Sequence, residues 1–166
     1  MPKIVIVYHS GYGHTKKVAE AVLTGTIDAG ADAKLLAVGD LDDAGWAELD
    51  AADAIIFGAP TYMGGPSADF KKFADASSKP WFAQSWKDKI AAGFTNSATM
   101  NGDNHSTIAY LVTLAMQHGM IWAGTGMMPW AVRTEPPPSG SGPTLQVAGD
   151  KASISHAAAT MSAMES

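Results

Sequence analysis

Cysteine is absent from the 166 residues. Its absence removes a disulfide framework, a thiolate metal site and a cysteine nucleophile together, and leaves the redox compartment open. Basic charge is sparse. The 11 Lys and Arg stand against 16 Asp and Glu, for a formal net charge of −5, so the basic patch of a nucleic-acid binder is not expected. Long apolar runs are missing as well. The run Ile4 to Tyr8 has no small-residue cleavage site after it, and it is too short for a signal peptide core. No stretch approaches the ~18 apolar residues of a membrane span. Histidines form no H-x-x-x-H pair: His9, His14, His105, His118 and His156 are scattered, and no metal site is expected. What is present is a foldable chain. It is 46% hydrophobic and 16% charged, which excludes disorder. Its length fits one domain, 1–166, at roughly 100–200 residues per domain. The expected compartment is the cytoplasm.

Short apolar runs alternate with amphipathic stretches. Lys3–Tyr8 is β-branched and apolar on both faces, as a buried parallel strand is. His14–Ala29 carries Val18, Ala21, Val22 and Gly25 at helical spacing, with Gly30 as its stop. Ala33–Val38 reads as a second strand, Leu41–Ala51 as a loop or short helix, and Asp53–Gly58 as a third strand. Pro66 opens a helix that fades by Ser78. Ser77–Asp88 reads as a loop whose tryptophans, Trp81 and Trp86, mark an interface or pocket. Lys89–Thr95 is the fourth strand, Asn104 or Ser106 caps a helix to about Gln117, and Met120–Gly124 is the fifth strand. A Pro/Gly-rich excursion, Pro136 to Pro143, precedes a possible last helix, Ser153–Met164. This alternation means βαβ units with right-handed crossovers. The expected fold is α/β, a flavodoxin-like doubly wound five-stranded parallel sheet of order 2-1-3-4-5 with helices on both faces.

Such a sheet binds ligands outside the carboxyl ends of its strands. After strand one stands His9-Ser10-Gly11-Tyr12-Gly13-His14-Thr15. Two glycines, two hydroxyls and a helix N-terminus suit an anion. The loop is neither G-x-x-x-x-G-K-[ST] nor G-x-G-x-x-G, which disfavours a nucleotide P-loop or a dinucleotide. Nor is Ser10 in a hydrolase G-x-S-x-G elbow. After strand three stands Ala59-Pro60-Thr61-Tyr62-Met63-Gly64-Gly65-Pro66, a rigid loop with flat, soft apolar surface. After strand four stands Thr95-Asn96-Ser97-Ala98-Thr99-Met100-Asn101-Gly102-Asp103, polar and turn-prone. Taken singly, each loop is also readable as an ordinary connector. Taken together they offer a phosphate site, a ring platform and polar ring edges, the three needs of flavin mononucleotide (FMN).

HSGYGHT, GAPTYMGGPSADFKKFAD, FTNSATMNGDNHST and LVTLAMQHGMIWAG resemble successive motifs of the WrbA-type NAD(P)H:quinone oxidoreductases. The likeness runs from about Lys3 to Gly126. It implies that the Ser10–Thr15 loop holds the FMN phosphate, and that Thr61, Tyr62, Met63 and Gly64 contact the isoalloxazine. Ser97 to Gly102 would line the ribityl chain and pyrimidine edge. It further implies that His118 lies near the flavin of a neighbouring subunit, that Trp81 flanks the substrate pocket, and that the chain forms a dimer or tetramer. Departures accompany it. The family usually has Arg where Tyr62 stands, a paired Gly is here Gly102-Asp103, and Asp150–Ser166 does not resemble the expected basic final helix.

The activity implied is ping-pong transfer of two electrons from NAD(P)H to a quinone-like acceptor, with the flavin carrying the chemistry. His118 is the first choice for a proton donor, and equally a residue that suits a helix C-terminus. Two other readings stand beside this one: a flavodoxin-type electron carrier, and a non-enzymatic flavin-binding domain. A receiver domain is disfavoured, because His9 and Ser10 follow strand one where it needs acidic residues.

Overall fold

A computed structural model of the chain describes residues 1–99 and 103–124. β1 (Lys3–Tyr8) leads into α1 (His14–Asp28), β2 (Asp32–Ala37), α2 (Asp43–Ala51) and β3 (Ala54–Tyr62). There follow β4 (Gly65–Pro66), α3 (Ala68–Ala76), α4 (Ser78–Ala83), β5 (Ile90–Asn96), α5 (Asn104–Gln117) and β6 (Ile121–Trp122). The parallel sheet runs β2-β1-β3-β5-β6, and β4 pairs antiparallel with the end of β3. Without that two-residue ribbon the order is the 2-1-3-4-5 expected from the sequence, and the fold is flavodoxin-like.

The period of two along each strand decides which helix covers which face. Val5 and Val7, Ile55 and Phe57, and Ala91 point to one side, where Leu49 of α2, Phe70 and Phe73 of α3, and Leu111 and Ala115 of α5 meet them. Ile4, Ile6, Ile56 and Phe94 point to the other, against Val18, Ala19 and Val22 of α1. Each large apolar side chain buried this way contributes about 1.5–3 kcal/mol. α1 is stopped as expected: Gly30 takes a left-handed φ of +90°, open to glycine without a Cβ penalty.

The structure corrects four expectations. β3 does not end at Gly58 but runs to Tyr62, because β5 pairs with it as far as Pro60 opposite Asn96. Pro60 lies beyond the last β1 pair, Tyr8 with Gly58, so β3 is an edge there and tolerates a proline. Pro66 does not open a helix. It sits in β4, and α3 starts at Ala68. Ser77–Asp88 is not all loop, since α4 occupies Ser78–Ala83, with Pro80 in a first turn whose N–H groups have no helical acceptor. Trp86 is not an exposed loop aromatic. It is fully buried, stacked with Trp46 and Phe73, and its Nε1–H donates to Asp50 at 2.8 Å.

Among the described residues no helix is long and apolar enough to cross a membrane. The Pro136 to Pro143 excursion, the helix expected over Ser153–Met164, and Gly102 lie outside the described residues.

Candidate functional site

The loop between β1 and α1 comes first. Gly13, at φ +84°, turns the chain into the helix. The backbone N–H of Lys16 donates to Ser10 Oγ at 3.1 Å, which leaves the Ser10 hydroxyl hydrogen free to serve as a donor. The N–H groups of His14 and Thr15, in the first turn, have no acceptor within the helix, and the helix dipole points its positive end at the same place. Thr15 differs from expectation in detail. Its side chain is buried and its hydroxyl donates to Asn96 Oδ1 at 2.7 Å. It therefore ties α1 to β5, and only its N–H is left for an anion.

The second segment is the end of β3 and its hairpin to β4. Met63 and Gly64 both have positive φ, 48° and 80°, the two-residue turn that matches strand twist. Tyr62 lies beneath that tip. Its ring meets Tyr12 edge-on at 6.1 Å and 70°. A Cβ added at Gly11 would come within 2.7 Å of the Tyr62 hydroxyl, so the glycine permits the close approach. Burial, and then Tyr12, push the Tyr62 phenol pKa up. Under this surface Thr61 Oγ1 lies 2.8 Å from Thr95 Oγ1 and 2.8 Å from Thr107 Oγ1. All three threonines are buried. Thr107 of α5 was missed in the sequence. Its signal was a hydroxyl in the helix stripe otherwise filled by Leu111, Leu114 and Ala115.

The third segment leaves β5. Asn96 is buried, and the Ser97 hydroxyl donates to the Thr99 carbonyl at 2.6 Å, folding the loop back. One cleft is lined by all three segments: Tyr12, His14 and Thr15; Pro60, Thr61 and Tyr62; Asn96, Ser97 and Ala98. Ser10, Gly11 and Gly13 flank it in the first loop, and Met63 and Gly64 stand at the hairpin tip; Thr95 does not line it but is buried against Thr61, and Thr99 follows Ala98 in the chain. The donor set fits FMN. Orphan N–H groups at the start of α1 suit a phosphate, the Pro60–Tyr62 wall offers a flat apolar surface, and the Ser97 loop offers polar edges.

His118 and Trp81 are brought together elsewhere. They line clefts against the C-terminal end of α5, and these share no residue with the first cleft. The Ser77 hydroxyl donates to the Ala74 carbonyl at 2.7 Å, so it accepts from His118 Nε2–H at 2.9 Å. The imidazole lies 4.3 Å from Trp86, its Nδ1 is buried without a partner among the described residues, and burial lowers its pKa. Within one chain His118 is a neutral, enclosed histidine.

A family model described as NADPH-dependent FMN reductase matches residues 2–131. The chain is 50% identical over 132 residues to Flavodoxin FldP of Pseudomonas aeruginosa, across 78% of this chain and 69% of that protein. It is 33% identical over 141 residues to an NAD(P)H dehydrogenase (quinone) of Sinorhizobium fredii, across 75% and 71%. The crystal structure of the flavodoxin, WrbA-like protein from Agrobacterium tumefaciens matches with a TM-score of 0.74 and 48% identity, over 98% of this chain and 94% of that one.

Proposed function

The chain belongs to the NADPH-dependent FMN reductase family, and on that premise we propose that it is an FMN-dependent oxidoreductase passing two electrons from NAD(P)H to a quinone-like acceptor. The observation that carries this reading is the cleft itself. The sheet edge that a parallel α/β fold uses for ligands gathers helix N–H donors, an aromatic wall and a polar loop in one place. The relative from Sinorhizobium fredii bears the name of that activity.

FMN, when bound, supplies the electron chemistry. The chain's own groups hold and orient it. The His14 and Thr15 N–H groups and the Ser10 hydroxyl take the phosphate without a cationic side chain. Thr61 cannot turn away, because its hydroxyl is held between Thr95 and Thr107. That fixes the wall on which the ring rests. Tyr62 and Tyr12 close one edge, and exposed Met63 gives a soft apolar tip beside the opening. The backbone N–H groups of Ser97 and Ala98, on the polar side of the cleft, would hold the polar ring edge and stabilise negative charge there. His118 and Trp81 reach such a cleft from a second copy of the chain, in a homo-oligomer. Nicotinamide and quinone then use the same open face in turn, which is a ping-pong cycle.

A flavodoxin-type electron carrier is the second reading. The 50% identity to Flavodoxin FldP favours it. The deciding experiment is anaerobic. FMN-loaded protein is freed of excess flavin, NADH or NADPH is added, and the visible flavin spectrum is followed. Bleaching that a quinone then reverses supports the oxidoreductase. Bound flavin that neither nucleotide reduces sinks that reading in favour of the carrier.

A further inference from the structure

His9 has no part in the site as described, yet both of its ring nitrogens are engaged. It follows β1 on the side of the sheet taken by Val5 and Val7 and points to the start of α3. Its Nδ1 lies 2.7 Å from Ser67 Oγ, and its Nε2 lies 3.4 Å from Asp69 Oδ2. Asp69 also accepts from Lys72 Nζ at 3.1 Å. A Ser–His–Asp set suggests a hydrolase, but the geometry opposes it. Ser67 is 1% exposed, so no substrate reaches its hydroxyl.

What the set joins is more informative. The His9 N–H donates to the Gly58 carbonyl at 3.0 Å, and the Ser67 N–H donates to the Pro60 carbonyl at 3.2 Å. His9 is bonded in sequence to Ser10, and Pro60 to Thr61. One partly buried hydrogen bond, His9 to Ser67, therefore connects the phosphate loop to the ring wall. The Tyr62 hydroxyl over Gly11 connects the same two segments, but on an exposed surface.

We propose that His9 is a positioning residue that locks the phosphate-binding loop to the ring-binding segment through Ser67, so that both halves of the FMN site are set before the cofactor arrives. This rests on the FMN reading above. A site ordered in advance loses less conformational entropy on binding. Without the bond each segment moves by itself, and the ligand must order both.

The test is FMN affinity, read by quenching of flavin fluorescence, with the melting temperature of each apo variant recorded beside it. Ser67→Ala removes the hydroxyl. His9→Gln places an amide only where Nε2 stood, toward Asp69. His9→Asn places one where Nδ1 stood, toward Ser67. We expect Ser67→Ala and His9→Gln each to weaken FMN binding up to about tenfold, as one lost hydrogen bond does. The double variant adds nothing further, and His9→Asn stays within about threefold of the parent. Equal losses for His9→Asn and His9→Gln, or no loss for Ser67→Ala, overturn the proposal while leaving the FMN reading intact. Failure of the parent chain to bind FMN overturns both. Should a His9 variant fail to fold, the small Ser67→Ala change decides alone.

Discussion

Two polar regions at opposite places in the fold hold the residues that the sequence motifs single out, and they are built differently. In the cleft, buried polar side chains bond to one another: Thr15 to Asn96, and Thr61 to Thr95 and Thr107. Those bonds fix the side chains in place, and backbone N–H donors on fixed elements are among the groups left facing outward. At the end of α5, His118 is held by Ser77 on one nitrogen and has no partner on the other among the described residues, with Trp86 against its ring. The first arrangement braces the wall of a cleft. The second is a packed core with one unsatisfied atom. The resemblance places His118 at the flavin of a neighbouring subunit, and within one chain the two regions lie apart.

The largest effect expected from breaking this contrast is on stability. Trp86 touches Trp46, Phe57, Phe73 and His118 and lines none of the clefts. Trp86→Ala should cost about 3–5 kcal/mol, the usual range for deleting a fully buried aromatic. Denaturant unfolding measures it. FMN affinity, taken where the variant is still folded, should stay close to that of the parent. Loss of FMN binding without loss of stability would show that the two regions are not separable.

Thr61→Val is the converse change and the next in size. It keeps the side-chain volume but leaves the Thr95 and Thr107 hydroxyls buried without their shared partner. A cost of about 1–3 kcal/mol follows, smaller than for the tryptophan. FMN binding should nonetheless suffer more, because the wall of the cleft loses its anchor. Equilibrium titration with FMN and a melt on the same samples give the two numbers. The comparison fails if stability drops while affinity does not.

His118 gives a smaller, pH-dependent effect. Burial holds its pKa in the folded chain below the ordinary imidazole value of 6.5, so the unfolded chain binds the proton more readily. Stability is then complete above that value and declines as pH falls from it toward the depressed folded pKa. His118→Gln should flatten this part of the stability–pH curve. If parent and variant curves keep the same slope from pH 7 to pH 5, His118 is not the group responsible.

How much of this was legible beforehand follows from which forces act locally. β1 and α1 were placed almost to the residue, because an apolar run, a glycine loop and helical spacing are all written along the chain. The cleft was legible for a topological reason: once the strands are known, their carboxyl ends name the loops. Trp86 and α4 were not, because their burial depends on Trp46 and Phe73, which arrive from other segments. Thr107 was hidden inside an apolar stripe. Ser67 and His9 are separated by 57 intervening residues in the chain, and their contact exists only after β3 has been extended to Tyr62 and turned back through Met63 and Gly64.

The smallest effect, and the one that bears most on what the cleft does, comes from its exposed rim. Tyr62 is 37% exposed and stands where the resembling family usually has Arg. Tyr62→Arg would put a cation beside the ring without touching the buried threonines. At about 4 Å in solvent such a charge is worth about 1 kcal/mol, which for a two-electron couple is about 20 mV toward easier reduction. The potential of bound FMN, measured against a reference dye, should therefore rise by that order. The rise should shrink in high salt, since an exposed charge is screened. A rise that ignores salt would mean that the residue at this position works through the Tyr12 contact and the shape of the first loop. The rim would then belong with the packed interior, and not with the solvent-facing surface that sets the electron chemistry.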